Sequence, residues 1–192
     1  MMKVLSAAAL LVALTAQILS AAPWKIDKDH VHVTFTVNNI GFSTTQGQFR
    51  EFDAVIDFDP ENVEEAEVNF TLVADSVDTN SNARDRHVKS AEFLDVKNFP
   101  NIVFASTKVR LIDSETAEIT GDMTMKGVTQ EEVFTAKLIR IGPSPFNAKD
   151  TIAGFVVEGS LTRTDYGVSY GVPAIGAEVP IRIDIQMNPI GS

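Results

Sequence analysis

Histidine and acidic side chains at close spacing are the first candidates for chemistry in this sequence. His30 and His32 stand two residues apart, so on a β-strand both side chains would point to one face. A metal site needs a third or fourth ligand, and the sequence offers none nearby. Asp78, Asn80 and Asn82 match the first ligand positions of a calcium loop, but an alanine replaces its glycine and a lysine its final glutamate. We therefore predict no metal site.

Groups for covalent catalysis are scarce. The chain has no cysteine, which excludes thiol nucleophiles and cysteine-bound metals. The sequence lacks the Gly-x-Ser-x-Gly nucleophile elbow. Ser90 follows His87 by three residues, and a serine in that position is typical of a helix cap. The pattern predicts no catalytic residues and no enzymatic activity.

Arg84, Arg86 and His87 form a cationic group in an otherwise acidic chain. One interpretation is an ordinary ion-pair network with the acidic residues that surround them. The other is a polar collar, in which Arg84 and His87 orient the polar end of a ligand at the mouth of an apolar site. The sequence leaves both interpretations open.

Charge and length limit the classes of function. The chain has 192 residues, of which 44% are hydrophobic, enough for one domain with its own core. Its formal net charge of −10 argues against a nucleic-acid partner, which requires a basic surface. The same charge argues against docking on anionic membranes by electrostatics alone.

The N-terminus has the pattern of a secretory signal peptide. Lys3 precedes an apolar stretch at 4–16, and Ser20, Ala21 and Ala22 are small residues. We predict a signal peptide over 1–21, cleaved after Ala21 or Ala22, and export to the periplasm. The apolar stretch is too short for a permanent anchor, so no stable membrane insertion is expected. A single domain is then expected over 22–192.

A period of two dominates the rest of the chain. Apolar residues alternate with polar ones over 31–37, 117–125 and 179–187, as expected for half-buried strands. Weaker versions of the pattern are found at 47–58, 67–75, 102–110, 131–141 and 151–162. These patterns predict an all-β fold of about eight antiparallel strands, a number that can close into a barrel.

Residues 76–100 break the strand pattern. Ser81 or Asn82 can cap a short helix, and Ser90 can cap a further turn before Pro100. We predict a short helical insertion around 82–96. An insertion of this length is expected to cover a barrel mouth or an open sheet edge.

The order of several motifs resembles the YceI-like family over the predicted mature chain. The most specific match is Arg84-Asp85-Arg86-His87-Val88-Lys89-Ser90, followed by Phe93-Leu94-Asp95-Val96 and Phe99-Pro100. Gly121-Asp122-Met123-Thr124-Met125 and Arg163-Thr164-Asp165-Tyr166-Gly167 resemble later family motifs. The chain departs from the family at Val31, Asn39, Ala54 and Tyr166, where Ser, His, Gly and Phe are frequent.

The resemblance implies a periplasmic, lipocalin-like barrel that binds a polyisoprenoid or quinone-like lipid in an internal tunnel, without other cofactors. Arg84 and His87 would then form its polar mouth. The apolar residues expected to line the tunnel are Phe35, Val37, Phe52, Phe70, Leu72, Phe93, Phe104, Met123, Met125, Phe155, Ile183 and Ile185. A homodimer also remains open.

Two alternatives to a lipid carrier stay open at this stage. The same apolar side chains can simply fill the barrel, which would make the protein a periplasmic interaction or stress protein. Its docking surface would then be the acidic cluster near Glu64. The second alternative is a lipid-modifying enzyme that uses His87.

Overall fold

The computed structural model describes residues 24–190, and the predicted signal peptide lies outside them. Within this range, none of the helices has the length and hydropathy needed to cross a bilayer. The strands are β1 (Trp24–Ile26), β2 (His32–Asn39), β3 (Ser43–Phe49), β4 (Phe52–Asp57), β5 (Glu67–Val73), β6 (Val77–Asp78), β7 (Asn101–Leu111), β8 (Thr116–Met125), β9 (Val128–Pro143), β10 (Thr151–Thr162) and β11 (Glu178–Pro189). The α-helix α1 spans Asn82–Val88, and short 3₁₀ turns span Lys28–His30, Val63–Glu65, Ala74–Ser76 and Arg163–Tyr166.

The strands pair antiparallel and close on themselves. The ladder runs β4-β5-β7-β8-β9-β10-β11, and β1 closes it because it pairs with both β11 and β4. β2 pairs with the middle of β11, and β3 pairs with β2. The first barrel strand is thus split into β1 and β2 by the Lys28–His30 turn, and the next into β3 and β4. The predicted eight-stranded antiparallel barrel is confirmed.

The period-two pattern sets which face of each strand is buried. On β8, Ala117, Ile119, Met123 and Met125 are all under one tenth exposed, because alternate side chains point into the barrel. Along β11 the apolar residues of the pattern pack on the core in the same way, with Met187 at 2% exposure. The inward faces of the strands therefore supply the core.

The connections define two ends of the barrel. One end of the barrel, which we call the mouth end, is formed by the connections 40–42, 79–100, 126–127 and 163–177. The base end carries 58–66, 112–115 and 144–150. At the mouth end, β8 and β9 are joined by Lys126 and Gly127, both at positive φ. This tight turn is the one that the Lys-Gly pair predicts.

Aromatic side chains pack the core toward the base end. Phe58 contacts Trp24 at 5.8 Å and Phe155 at 5.4 Å between ring centroids, both edge to face. Such pairs add about 0.5–1.5 kcal/mol each to the free energy gained from burial alone. The lower barrel is therefore filled by side chains.

The insertion after β6 is only partly helical. α1 ends at Val88, and the following residues form turns in which Leu94 N–H donates to Val88 O and Asp95 adopts a positive φ. Ser90 does not start a second helix, and its buried Oγ has no hydrogen-bond partner among residues 24–190. The helix is therefore shorter than the predicted insertion, although the segment does cover the mouth end.

Candidate functional site

An apolar cavity of about 400 Å³ occupies the upper barrel beneath α1. Its wall comes from inward residues of β2, β5, β7, β8 and β11, and its roof from α1, the turns after it and residues 163–179. The volume lies within the range of small-molecule sites, about 300–1,000 Å³. Most of the lining atoms are carbon, so the site suits an apolar ligand.

Most of the residues predicted to line a tunnel do line this cavity. They are Phe35, Val37, Phe70, Leu72, Phe93, Phe104, Met123, Met125, Ile183 and Ile185. Phe52 and Phe155 do not reach it. Phe52 stacks on Phe70 at 5.9 Å, and Phe155 packs against Phe58 in the filled lower barrel. Contact of any of these residues with a ligand stays a prediction.

Glycines on the inner wall allow three aromatic rings to pack closely against it. A Cβ on Gly47 would lie 2.3 Å from Phe35 Cζ, one on Gly121 2.5 Å from Phe104 Cζ, and one on Gly159 2.5 Å from Phe134 Cδ1. Each ring covers a glycine of a neighbouring strand, the close approach that a missing side chain permits. Because the rings lie along the wall, they leave the lumen open.

Arg84 stands at the rim of the cavity on α1. Its Nε donates to Thr79 Oγ1 at 2.8 Å, and its Nη2 donates to Thr79 O at 2.6 Å. Thr79 is 3% exposed, and its N–H donates to Asp85 Oδ1 at 2.8 Å. The guanidinium is therefore held by a buried neighbour, and no carboxylate is recorded within ion-pair distance of it in residues 24–190. The ion-pair network that the sequence left open as one interpretation of Arg84 is therefore not formed by this arginine within the described residues.

His87 also lines the cavity and has an acidic partner. Its Nε2 lies 2.7 Å from Glu92 Oε2, and its ring packs edge to face on Phe93 at 4.9 Å and on Tyr170 at 4.7 Å. These contacts tie α1 to the 163–177 connection. For His87, the expected network with neighbouring acidic residues is present.

Arg163 is a charged lining residue to which the sequence analysis gave no role in the site. It is 5% exposed, and it donates to the carbonyl oxygens of Gly176, Val168, Tyr170 and Ile175 at 2.6–3.0 Å. Burial lowers the pKa of the Arg163 guanidinium below its usual value. The guanidinium therefore holds the roof in shape, and the family motif around it was the only signal available.

The ionisable side chains that line the cavity, within the described residues, are Arg84, His87 and Arg163. The nearby inward carboxylate, Glu132, is half-buried and accepts a 2.7 Å hydrogen bond from Tyr166 Oη. Burial and Glu132 together raise the pKa of Tyr166, so its hydroxyl stays protonated as a donor. The polar part of the lining is consequently cationic and donor-rich.

The metal candidates of the sequence do not come together. His30 lies in a 3₁₀ turn with its Nδ1 2.9 Å from Asp27 Oδ2, whereas His32 begins β2. Asp78 is hydrogen-bonded to Arg50 and to the N–H of Asn80. Across residues 24–190, no group of three or more potential metal ligands is assembled.

Known proteins resemble this chain in both sequence and structure. The model of the YceI-like domain matches residues 24–187. Protein YceI of Salmonella arizonae is 38% identical over 168 residues, 86% of each chain. BcnA of Burkholderia cenocepacia has a similar structure, with a TM-score of 0.76 and 19% identity over 84% of this chain and 99% of that one. A polyisoprenoid binding domain from Saccharophagus degradans, implicated in plant cell wall breakdown, has a TM-score of 0.65 and 11% identity over 88% and 99%.

Proposed function

The chain belongs to the YceI-like family, and from this premise we propose that it sequesters or carries an isoprenoid-chain amphiphile, of quinone or polyprenyl type, inside the barrel. The observation that carries the proposal is the cavity of about 400 Å³ with a cationic rim. The polyisoprenoid-binding neighbour of the same fold supports it. We further propose that the protein works in the periplasm, as the pattern of residues 1–21 predicts.

The apolar wall accounts for affinity toward the chain of such a lipid. Each buried methylene contributes about 0.8 kcal/mol, so several isoprene units give substantial binding without specific contacts. Met123 and Met125 face the lumen, and their flexible thioethers adapt to an irregular chain. The site is therefore selective for length and width rather than for one hydrocarbon.

The rim accounts for the orientation of the ligand. Arg84 uses Nε and Nη2 to bind Thr79, which leaves Nη1 to donate to a ligand oxygen. A head group rich in acceptors, such as a quinone carbonyl or a phosphate, fits this donor-rich rim better than a cationic one. We propose that the head group lies at Arg84 and the chain runs toward Phe134.

The two alternatives have less support. A filled barrel does not account for the cavity of about 400 Å³ in the upper barrel. An enzyme that used His87 for nucleophilic catalysis would need its imidazole beside a nucleophile, and its side-chain contacts within residues 24–190 are with Glu92, Phe93 and Tyr170. We therefore propose binding without chemistry.

The direct test is extraction of the exported protein. The full chain is expressed in a bacterium, purified from the periplasm and extracted with organic solvent for mass spectrometry. We expect a long-chain isoprenoid in the extract, and a mature N-terminus at residue 22 or 23. Ile183→Trp, which fills the lumen, should lose the lipid, whereas Val103→Trp on the outer face of β7 should keep it.

The proposal fails if the extract contains no amphiphile and the purified protein takes up no added long-chain isoprenoid. It also fails if Ile183→Trp and Val103→Trp retain equal amounts of lipid. A mature protein recovered only from the cytoplasm would contradict the location alone.

A further inference from the structure

Two loops of the mouth end are joined into one surface. Ile40 N–H donates to Ala174 O at 2.7 Å, and Gly176 N–H donates to Asn38 O at 2.9 Å. The tip of the β2–β3 hairpin therefore lies beside the 163–177 connection. We call Ile40, Phe42, Tyr170 and Val172 the mouth patch.

The mouth patch exposes large apolar side chains. Phe42 is 91% exposed, Ile40 59%, Tyr170 44% and Val172 40%. Single exposed apolar residues are ordinary on a protein surface, but a contiguous group indicates an interaction site. Phe42 stands at a hairpin tip, so its ring projects outward rather than covering the barrel.

The mouth patch is also the uncharged part of an acidic protein. Val33 to Phe49 and Tyr166 to Ala177 contain no charged residue, while the whole chain carries a formal net charge of −10. At the base end, the 58–66 and 112–115 connections are rich in aspartate and glutamate. The mouth patch is therefore an apolar, uncharged surface, and the connections at the opposite end of the barrel are acidic.

The mouth patch adjoins residues that line the cavity. Asn38, Asn39 and Ile175 line the cavity from the two joined loops. Tyr170 packs against His87 and Phe93, which also line it. A surface that covers the mouth patch therefore lies against the roof of the cavity.

We propose that the mouth patch docks the protein reversibly on a lipid bilayer, with Phe42 and Ile40 inserted at the boundary between head groups and acyl chains. Aromatic and aliphatic side chains at loop tips are favoured at that depth. This goes beyond lipid binding, because it assigns the surface through which a ligand enters and leaves. A second copy of the chain would instead bring two acidic molecules together over the roof of the cavity.

The charge of the whole chain bears on which bilayer is suited to the test. A net charge of −10 opposes the approach to an anionic surface at long range, whereas a zwitterionic surface carries no net charge. The docking is therefore tested on phosphatidylcholine vesicles.

Vesicle flotation tests the docking directly, and it needs no ligand in the cavity. The protein is residues 22–192, because the apolar stretch at 4–16 would bind vesicles by itself and every barrel strand lies within 24–189. Phe42→Ser should lower the partition coefficient for phosphatidylcholine vesicles about tenfold, because one phenyl ring is no longer inserted in the bilayer. Phe146→Ser is the matched control, since Phe146 is 97% exposed but lies at the base end.

Three results would overturn the proposal. The first is a wild type that does not float with phosphatidylcholine vesicles, and the second is an equal loss of binding in Phe42→Ser and Phe146→Ser. The third is a change from dimer to monomer in Phe42→Ser, measured by light scattering, with vesicle binding unchanged. Because flotation is measured without ligand, failure of the docking is distinct from failure of lipid binding.

Discussion

Gly159→Ala tests whether the aromatic rings over the wall glycines keep the lumen open. A Cβ at this position would lie 2.5 Å from Phe134 Cδ1 and 2.9 Å from Cε1. An ordinary contact requires about 3.5 Å or more, so the ring must move by about 1 Å. The hydrogen-bonded ladder of β9 and β10 lies behind the ring. We therefore expect Phe134 to move into the cavity.

The size of the effect follows from two opposing contributions. Crowding a packed wall costs about 1–3 kcal/mol. Replacing glycine in extended backbone returns about 0.4–1 kcal/mol, because the unfolded chain has less freedom. The variant should therefore lose about 0–2.6 kcal/mol of unfolding free energy, with about 1 kcal/mol as the central value, together with part of its capacity for a long-chain isoprenoid.

Urea unfolding followed by fluorescence of the single tryptophan, Trp24, measures the stability, and uptake of retinol measures the capacity. Gly154→Ala is the matched control on the same strand, since its Cβ would meet nothing closer than 3.9 Å. The control should be neutral or slightly stabilising and keep full uptake. Adding Phe134→Leu to Gly159→Ala should restore uptake.

The reasoning is refuted if Gly159→Ala binds and unfolds like the wild type. It is equally refuted if Gly154→Ala loses as much uptake as Gly159→Ala. In either case the ring over Gly159 would not control the lumen.

Three further substitutions test the rim and the barrel. In a displacement assay, Arg84→Gln should weaken the binding of a quinone with an isoprenoid tail about tenfold and leave the binding of squalene unchanged, because only the quinone has oxygens that accept hydrogen bonds from Arg84. Equal losses of affinity for the two ligands would contradict the orienting role of Arg84. Tyr166→Phe should cost about 1–3 kcal/mol in urea unfolding, because Glu132 loses its donor. Since the folded-state pKa of Tyr166 is raised above 10.0, wild-type stability should fall as pH rises past 10, and less so in the variant. The pKa of Asp78 is lowered below 3.8, first by the hydrogen bond from the Asn80 N–H and then by Arg50. The ionised carboxylate therefore stabilises the folded protein above pH 3.8, and this stabilisation is lost as the pH falls further. Thermal melts of Asp78→Asn should consequently depend less on acid pH than those of the wild type.

Most strands could be predicted from the sequence because their burial is one-sided. The alternation over 117–125 and 179–187 corresponds to β8 and β11 to within about two residues, the usual uncertainty of strand ends. β1 was missed, since three residues are too few for a period to be recognised. The break between β3 and β4, which divides the second barrel strand, was missed as well. At this break Phe49 pairs with β6, and such a tertiary contact cannot be recognised in the sequence.

The site was only partly accessible from the sequence. Alternation identifies an inward face, but it does not tell a residue of the lumen from a residue of the filled lower barrel, as Phe155 illustrates. Arg163 was missed because its bonds are to backbone carbonyls of a loop, which no side-chain motif encodes. The pairing of Phe134 with Gly159 depends on the register of β9 against β10, which becomes known only when the strands are aligned.

An open lumen has to persist although apolar side chains tend to close around empty space. Three features of the barrel oppose collapse. The closed ladder fixes the positions of the wall strands, the rings over Gly47, Gly121 and Gly159 lie against that wall, and Arg163 fixes the roof through four carbonyls. The apolar packing around Phe58 lies lower in the barrel, away from the cavity. The filled lower barrel therefore supplies packing that the cavity does not interrupt, so an open upper barrel is compatible with a stable fold.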